Sequence, residues 1–511
     1  MQKLSAIAVA AAVATTVLAG CTMEPWYHRP EAPVTQTFPE GGVYATQPGQ
    51  PGGVQNGRSA NGSAATDIGW RDFFTDPRLQ ELVDLALKNN RDLRVSVLNV
   101  EAARAQYRIT RAQLLPTLDA VGSDNRQRVP KDFQFIPQNP YSTYNVGLQA
   151  SWEIDFWGRI RSLKDQALAQ YLSTAQARKA AEISLVSQVA DQYLTMLADD
   201  ELLKVTQNTL KTAQDQYTIT KAQFDNGTGT ELDLRQAQTV VETAQANLQA
   251  QLRARAQAEN ALVLLIGEPL PADLPPGLPL NSQNLLTDIP AGLPSDLLTR
   301  RPDIMEAEET LLAANANIGA ARAAFFPQIS LTGSFGTESL SLGDLFKAGT
   351  AAWTFVPQIT MPIFTGGQNL ANLDYANIQK RIEIANYEKA IQSAFREVAD
   401  GLAARGTYDQ QIAALERDTF ANQRSLDLSD LRYKNGVDSY LSVLTAQTNL
   451  YAAQQTLIQT QLARQTNLVD LYRALGGGWI EHAGETPREA DAPADYGAAS
   501  APAAASAATA G

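Results

Sequence analysis

Tyr144-Asn145-Val146-Gly147-Leu148-Gln149-Ala150-Ser151-Trp152-Glu153-Ile154-Asp155-Phe156 is the stretch on which the fold turns. Its apolar residues fall at every second position, and Asn145, Gly147, Gln149, Ser151, Glu153 and Asp155 fill the gaps. Side chains alternate across a strand, so this spacing predicts a β-strand with one apolar and one polar face. The pattern returns at Ile329, Leu331, Gly333 and Phe335, and again at Trp353, Phe355, Ile359, Met361 and Ile363. Each half of the chain therefore offers a hairpin, at 117–157 and 328–364, and the whole offers about four strands. Past residue 21 no stretch approaches the roughly 18 consecutive apolar residues of a spanning helix. A chain like this crosses a membrane only as a closed barrel, because an open sheet leaves backbone polar groups unsatisfied in lipid. Four strands cannot close one, and about eight is the working minimum. Two, three or four copies must pool their strands.

Around the hairpins the apolar period changes. Leu79 to Leu115 is rich in Ala, Leu, Arg and Gln and predicts a helix, ended by Pro116. Gly158 and Gly367 open two very long helical stretches, the first running to about Phe224, or about 100 Å at the rise of an α-helix. Val189, Met196, Leu203, Leu210, Tyr217 and Phe224 are spaced by seven. The return helix carries Leu234, Val241, Leu248, Arg255 and Leu262 at that spacing, matched by Val443, Leu450, Leu457, Arg464 and Leu471. A sustained seven-residue repeat means helices packed as coiled coils. Companion positions are small or polar (Ala237, Ala244, Gln251; Ala446, Ala453, Thr460), which predicts close packing with one face in water.

The chain is duplicated. Arg111-Ala112-Gln113-Leu114-Leu115-Pro116 aligns with Arg322-Ala323-Ala324-Phe325-Phe326-Pro327 at an offset of 211, which also carries Asp92 to Asp303. Phe224-Asp225-Asn226-Gly227 meets Tyr433-Lys434-Asn435-Gly436 at an offset of 209, so a two-residue indel separates the blocks. The organisation read from this is a leader at 21–78, a first repeat at 79–268, a Pro-rich connector at 269–293, a second repeat at 294–479 and a disordered tail at 480–511. The fold class is mainly α with a β-barrel portion, assembled from duplicated helix, hairpin and coiled-coil units.

Residues 1–20 read as a targeting segment. Lys3 supplies the positive charge, and Ala6 to Leu18 is apolar but too short to span a bilayer. Leu18-Ala19-Gly20-Cys21 closes it, with small residues where a signal peptidase cuts. Cys21 is the single cysteine, which excludes an internal disulfide and a thiolate zinc site. A net charge of −13 argues against a nucleic-acid partner. The two histidines, His28 and His482, sit near the chain ends, and no convergent base, nucleophile or metal set exists. Nothing marks an enzyme, and no phosphate-binding loop or charged membrane helix supplies energy.

The quartet ending at Cys21 resembles the bacterial lipobox, which implies a diacylglyceryl group and an N-acyl chain on Cys21 and, with Thr22 following, retention at the outer membrane. The whole chain resembles the TolC-like outer-membrane factors, in the lipoprotein branch that serves drug-efflux pumps. The residues carrying this are Trp152 to Arg159, Arg301-Pro302-Asp303-Ile304, Leu232-Asp233-Leu234-Arg235-Gln236-Ala237-Gln238, Asn435-Gly436-Val437-Asp438-Ser439-Tyr440-Leu441 and Leu475-Gly476-Gly477-Gly478-Trp479. The resemblance implies a homotrimer with twelve strands, a helical periplasmic tunnel, a periplasmic membrane-fusion adaptor and an inner-membrane proton-coupled transporter. It implies no cofactor beyond the acyl chains. A duct for type I secretion or metal-ion efflux, and a general porin, are the alternatives.

Such a tunnel must close at rest. The turns Asn226-Gly227 and Asn435-Gly436 reverse the long helices and belong at the adaptor end. Beyond them lie Glu231, Asp233 and Arg235, and Asp438, Leu441 and Thr445, each of which an oligomer repeats as a ring. A carboxylate ring selects cations and an apolar ring closes a pore by dewetting. In the lipoprotein relatives a leucine matching Leu441 forms the constriction, while an Asp and an Arg stand where this chain has Thr445 and Thr448. Those departures argue against a close copy of the family's charged lock. Arg235 with Asp233, Arg255 and Arg464 are the expected ties between helices. Ordinary helix-start acids, for Glu231 and Asp438, and plain packing, for Leu441, remain the competing readings.

Overall fold

The computed structural model describes residues 22–39, 41–44, 67–130, 132, 139–283, 285 and 294–482. The targeting segment, Cys21, most of the leader at 45–66, the connector at 286–293 and the tail from 483 lie outside the described residues. The helices are α1 Trp70–Phe73, α2 Pro77–Asn89, α3 Arg91–Ala112, α4 Arg159–Asp225, α5 Glu231–Ile266, α6 Pro294–Arg300, α7 Pro302–Ala323, α8 Gln368–Lys434 and α9 Tyr440–Ala474. The strands are β1 Thr117–Gln127, β2 Tyr141–Ile154, β3 Gln328–Ser339 and β4 Ala351–Thr360. The described residues divide between one unit within 1–35, 92–180 and 301–394 and a second within 36–91, 181–300 and 395–511. Each unit draws on both halves of the duplication, so the division into repeats and the division into compact units differ.

In the first unit the four strands form one antiparallel sheet in the order β1-β2-β3-β4. Its register sorts residues by polarity right across. Ala120, Leu148, Phe335 and Trp353 share one row, and Leu118, Ala150, Gly333 and Phe355 the next. Ile154, Ile329 and Ile359 form another apolar row. Asp119, Gln149, Ser334 and Thr354, and Glu153, Ser330 and Gln358, fall on the opposite face. The apolar side chains are exposed in the single chain: Leu118, Leu148, Phe335, Trp353, Phe355 and Ile359 have no cover. At the centre Gly147 pairs with Gly336, and a Cβ on Gly336 would lie 2.3 Å from the Val146 carbonyl oxygen. Strands of 10 to 14 residues reach or exceed the roughly 9–11 needed to cross a bilayer at a tilt.

The sequence pattern overran the strands at their ends. Met361 and Ile363 lie beyond β4, because Pro362 cannot donate to a ladder and Gly366 and Gly367, at φ 61° and 87°, turn the chain into α8. Phe156 lies beyond β2, because the Asp155 carboxylate accepts from the Ile160 and Arg161 amides and so starts α4. Arg159 forks onto Glu153 at 2.8 and 2.9 Å, and the Trp157 indole donates to the Pro327 carbonyl. Trp152 likewise donates to the Leu114 carbonyl, whereas Trp353 is free on the apolar face. The leader from Thr22 is also seated here. Buried Asn315 donates to the Glu24 carboxylate and the Pro25 carbonyl and accepts from Lys380, and Arg29 forks onto Glu308.

The helix expected from Leu79 to Leu115 is two helices. Asn90 leaves helical geometry at ψ 131°, and its side-chain amide donates to the Leu265 carbonyl at 2.7 Å. The second half breaks at the equivalent residue, Arg301, where the following Pro302 forces extended backbone. No proline marks the first break, so the period alone ran through it.

In the second unit Ala237, Ala244, Ala446, Ala453 and Thr460 are buried, as their size predicts, while Leu234, Val241, Leu248 and Leu457 are half-buried. On α4, Val189, Met196 and Leu210 are buried, but Phe224 at the end of the stripe is exposed. Asp76 caps α2 ahead of Pro77. Fully buried, it accepts from the Arg78 and Leu278 amides, the Tyr193 hydroxyl and the Gln283 amide, which pins the described part of the connector. Residues 480–482, assigned to the tail from sequence, are packed: the Ile480 and Glu481 carbonyls accept from the Trp70 and Arg71 amides, and Arg71 pairs with Glu481 at 2.6 Å.

Candidate functional site: the two helix-reversal tips

Both tips lie in the second unit. Their backbones are the same device used twice. The Asn226 side chain donates to the Ala222 carbonyl at 2.7 Å, and Asn435 donates to Leu431 at 2.7 Å, each caught at the end of its own long helix. Gly227 and Gly436 follow at φ 73° and 70°, a left-handed conformation that glycine adopts without steric cost. The Gly227 amide donates to Phe224 and the Gly436 amide to Tyr433, both at 2.9 Å.

Beyond the glycines the side chains diverge. In the first tip Thr230 caps α5: its hydroxyl accepts from the Asp233 amide at 3.1 Å and donates to the Asp233 carboxylate at 2.7 Å. Arg235 reaches Glu231 at 3.4 Å and Gln238 at 3.0 Å, both on its own helix. Within the chain both partners of Arg235 thus sit on its own helix, within four residues. In the second tip Asp438 bridges the turn, accepting from Arg432 at 3.1 Å and from the Ser439 amide and Ser442 hydroxyl. The Arg432 guanidinium, then those two donors, hold its carboxyl below the usual range.

Leu441 is 54% exposed at the first turn of α9, and Leu232, its equivalent at the offset of 209, is 66% exposed at the first turn of α5. Thr445 turns its hydroxyl back onto the Leu441 carbonyl and Thr448 onto Leu444, each at 2.9 Å, so neither presents a charge or a free donor there. Leu232 went unassigned from sequence, although the duplication pointed to it.

A tyrosine pair was also unassigned. Tyr440 is 2% exposed and packs with Ala237 and Val443, flanked by Tyr217, Leu426 and Tyr433. Its ring lies 5.4 Å from that of Tyr433, whose hydroxyl donates to Gln223 on α4 at 3.0 Å. Burial, the neighbouring Tyr433 and the Asp233 carboxylate push the Tyr440 phenol up to about 12. The signal was a tyrosine at the first position of a helix, where a solvated start carries a polar residue.

Further from the tips, Arg255 pairs with Asp200 at 2.6 Å and Arg464 with Asp409 at 2.6 Å. Both pairs join a long helix to its return helix, and they are equivalent at the offset of 209. Among the described residues no group of His, Cys, Asp and Glu is arranged to hold a metal ion, and no helix is long and apolar enough to cross a membrane.

Comparison with known proteins bears on both units. The family described as outer membrane efflux protein matches residues 82–268 and 293–477. The chain is 48% identical over 481 residues to the toluene efflux pump outer membrane protein TtgC of Pseudomonas putida, covering 94% of this chain and 97% of that protein. It is 43% identical over 482 residues to the outer membrane protein OprJ of Pseudomonas aeruginosa, covering 94% and 98%. Among solved structures, the open state of the MtrE outer membrane channel of Neisseria gonorrhoeae superposes with a TM-score of 0.79 at 44% identity, covering 91% of this chain and all of that one. The CmeC outer membrane channel of Campylobacter jejuni gives 0.80 at 28% identity, covering 91% and 96%.

Proposed function

The chain belongs to the outer membrane efflux protein family, and on that premise we propose that three copies close one conduit, shut at rest by the helix-reversal tips. The chain is an outer-membrane component of an efflux pump, the exit duct for drug efflux. The observation that carries the membrane role is the sheet: the rows through Leu148, Ala150, Trp152 and Ile154 of β2 stay apolar or Gly across their neighbours, and β1 and β4 are edges. Lipid covers such a face, and strands from other copies satisfy such edges.

In the resting conduit Leu441 and Leu232 ring the opening and exclude water, with Asp233 and Asp438 beside them. Asp438 stays ionised across physiological pH, so the ring favours cations. An acylated Cys21 holds the leader at the membrane, consistent with the seating of Glu24 and Pro25 on Asn315. A periplasmic adaptor engages the Asn226-Gly227 and Asn435-Gly436 turns, and a proton-coupled inner-membrane transporter supplies the energy. The cargo is small organic molecules, in line with relatives named for toluene and antibiotic efflux. Cargo choice is made by the transporter and adaptor, since the duct itself only conducts.

Single-channel conductance of the purified, acylated protein in planar bilayers tests this. Wild type should open rarely and prefer cations, and Leu441→Gly should raise open time on the order of tenfold, as loss of an apolar constriction of about 1.4 kcal/mol would. A wide, steadily open wild-type pore that ignores Leu441→Gly and Asp233→Ala would reduce the reading to a general porin.

A further inference from the structure

In the first unit, α3 carries an exposed stripe at Val95, Leu98, Ala102, Ala105 and Ile109, spaced three and four apart. This is the spacing of a coiled-coil seam, yet α3 turns its other side, with Leu93, toward its own chain. The first turns of α8 carry a second exposed stripe, Ala371, Tyr375, Ile378, Ile382 and Ala385, with the same spacing. Here too the buried residues Ala376 and Tyr387 lie on a different side of the helix. Neither stripe is covered by the described residues.

The sheet says what covers them. α3 ends just before β1 and α8 begins just after β4, and these are the two edge strands. Three antiparallel pairings make β1 and β4 run in opposite directions, so β1 begins and β4 ends at the same rim. Joining β4 of one copy to β1 of the next brings α8 of the first beside α3 of the second, antiparallel.

We propose that α3 and α8 of adjacent copies form an antiparallel coiled-coil seam in one fixed register, set by size and charge. It rests on the trimeric reading above and deepens it. Layering Ile109 with Ala371, Ala105 with Tyr375, Ala102 with Ile378, Leu98 with Ile382 and Val95 with Ala385 sets a large residue against a small one in every layer but one. The positions beside the seam were not used in that choice, and they agree with it. In an antiparallel pair the residues preceding each leading seam position face each other across the flank. In this register Arg108 meets Asp374 and Glu101 meets Arg381, opposite charges both times, and all four are exposed. On the other flank Gln106 meets Asn372 and Asn99 meets Gln379, amide against amide. A shift of one heptad sets Arg108 against Arg381, so the flank penalises slippage and pairing with a chain of different charge order.

Cross-linking reads the register directly, since Cys21 is the chain's single cysteine. With Ala102→Cys and Ile378→Cys in one chain, oxidation should give linked dimers and trimers on a non-reducing denaturing gel. The yield should be on the order of tenfold above Ala102→Cys with Ala385→Cys, which lies about 10 Å out of register, too far for a disulfide. Glu101→Arg in the first background should cut the yield severalfold, and adding Arg381→Glu should restore it. The mass of the unlinked oligomer separates the possible failures. A trimer that links equally out of register, or is not rescued by the second charge change, overturns the seam and leaves the trimeric reading standing. A chain that never assembles overturns both.

Discussion

The two helix-reversal tips share a backbone and differ in what fastens them. Position for position, Tyr440 stands where the first tip has Glu231, Tyr433 where it has Phe224 and Asp438 where it has Gly229. The second tip is anchored by a buried ring, by the Tyr433 hydrogen bond to Gln223 and by the Asp438–Arg432 bridge. The first shares the Gln223 and Ala237 contacts with the second, and its own fastenings are local, the Thr230 cap and the Glu231–Arg235 pair on one helix. Duplication has kept the reversal, which depends on Asn and Gly alone, and has let the fastening diverge. The first tip carries neither a buried ring nor a bridge across its turn at the equivalent positions, Glu231 and Gly229, and Leu232 rides on it.

Hydrogen exchange at each tip is the way to break this asymmetry. The largest effect is expected from Tyr440→Ala, which empties a buried aromatic site and should lower the local opening free energy by roughly 3–5 kcal/mol. Exchange should rise in both tips, because Ala237 of the first packs on that ring. Thr230→Ala removes a cap worth about 1 kcal/mol and should speed exchange in the first tip alone. Were it to loosen the second tip as much as Tyr440→Ala does, the two would be one cooperative unit and the contrast would go. The smallest effect is the acid response. The folded pKa of Asp438 is depressed, so its contribution is complete above the usual carboxylate value near 3.9 and is lost as pH falls through the lower folded value. Exchange in the second tip, normalised for intrinsic rate, should stay flat from about pH 8 to 5 and rise only below about pH 4. A rise near neutrality would mean that the bridge is not what holds the turn.

Much of the molecule was legible because its parts obey short-range rules. Alternation at Tyr144–Ile154 gave a strand, Gly158 and Gly367 gave the helix starts, and the Asn-Gly pairs gave the reversals, all from neighbours in sequence. The misreadings share a cause. The break at Asn90 depends on a carbonyl 175 residues away, so no local pattern could show it. The overrun at Phe156 has the same origin: the Asp155 carboxylate accepts from the Ile160 and Arg161 amides, a contact that lies outside the alternation and ends the strand.

The sequence by itself determined that this is a duplicated chain of long heptad helices and amphipathic hairpins, with too few strands to close alone, because period and polarity are written residue by residue. Only the tertiary structure decided which residues meet across elements. It chose the rows that keep the sheet's two faces apart, the tyrosine of the second tip on which Ala237 of the first packs, and the carboxylates that Arg255 and Arg464 reach. Those choices depend on register and on contacts between residues far apart in the chain, and a one-residue slip in register exchanges the faces while leaving the periodicity unchanged.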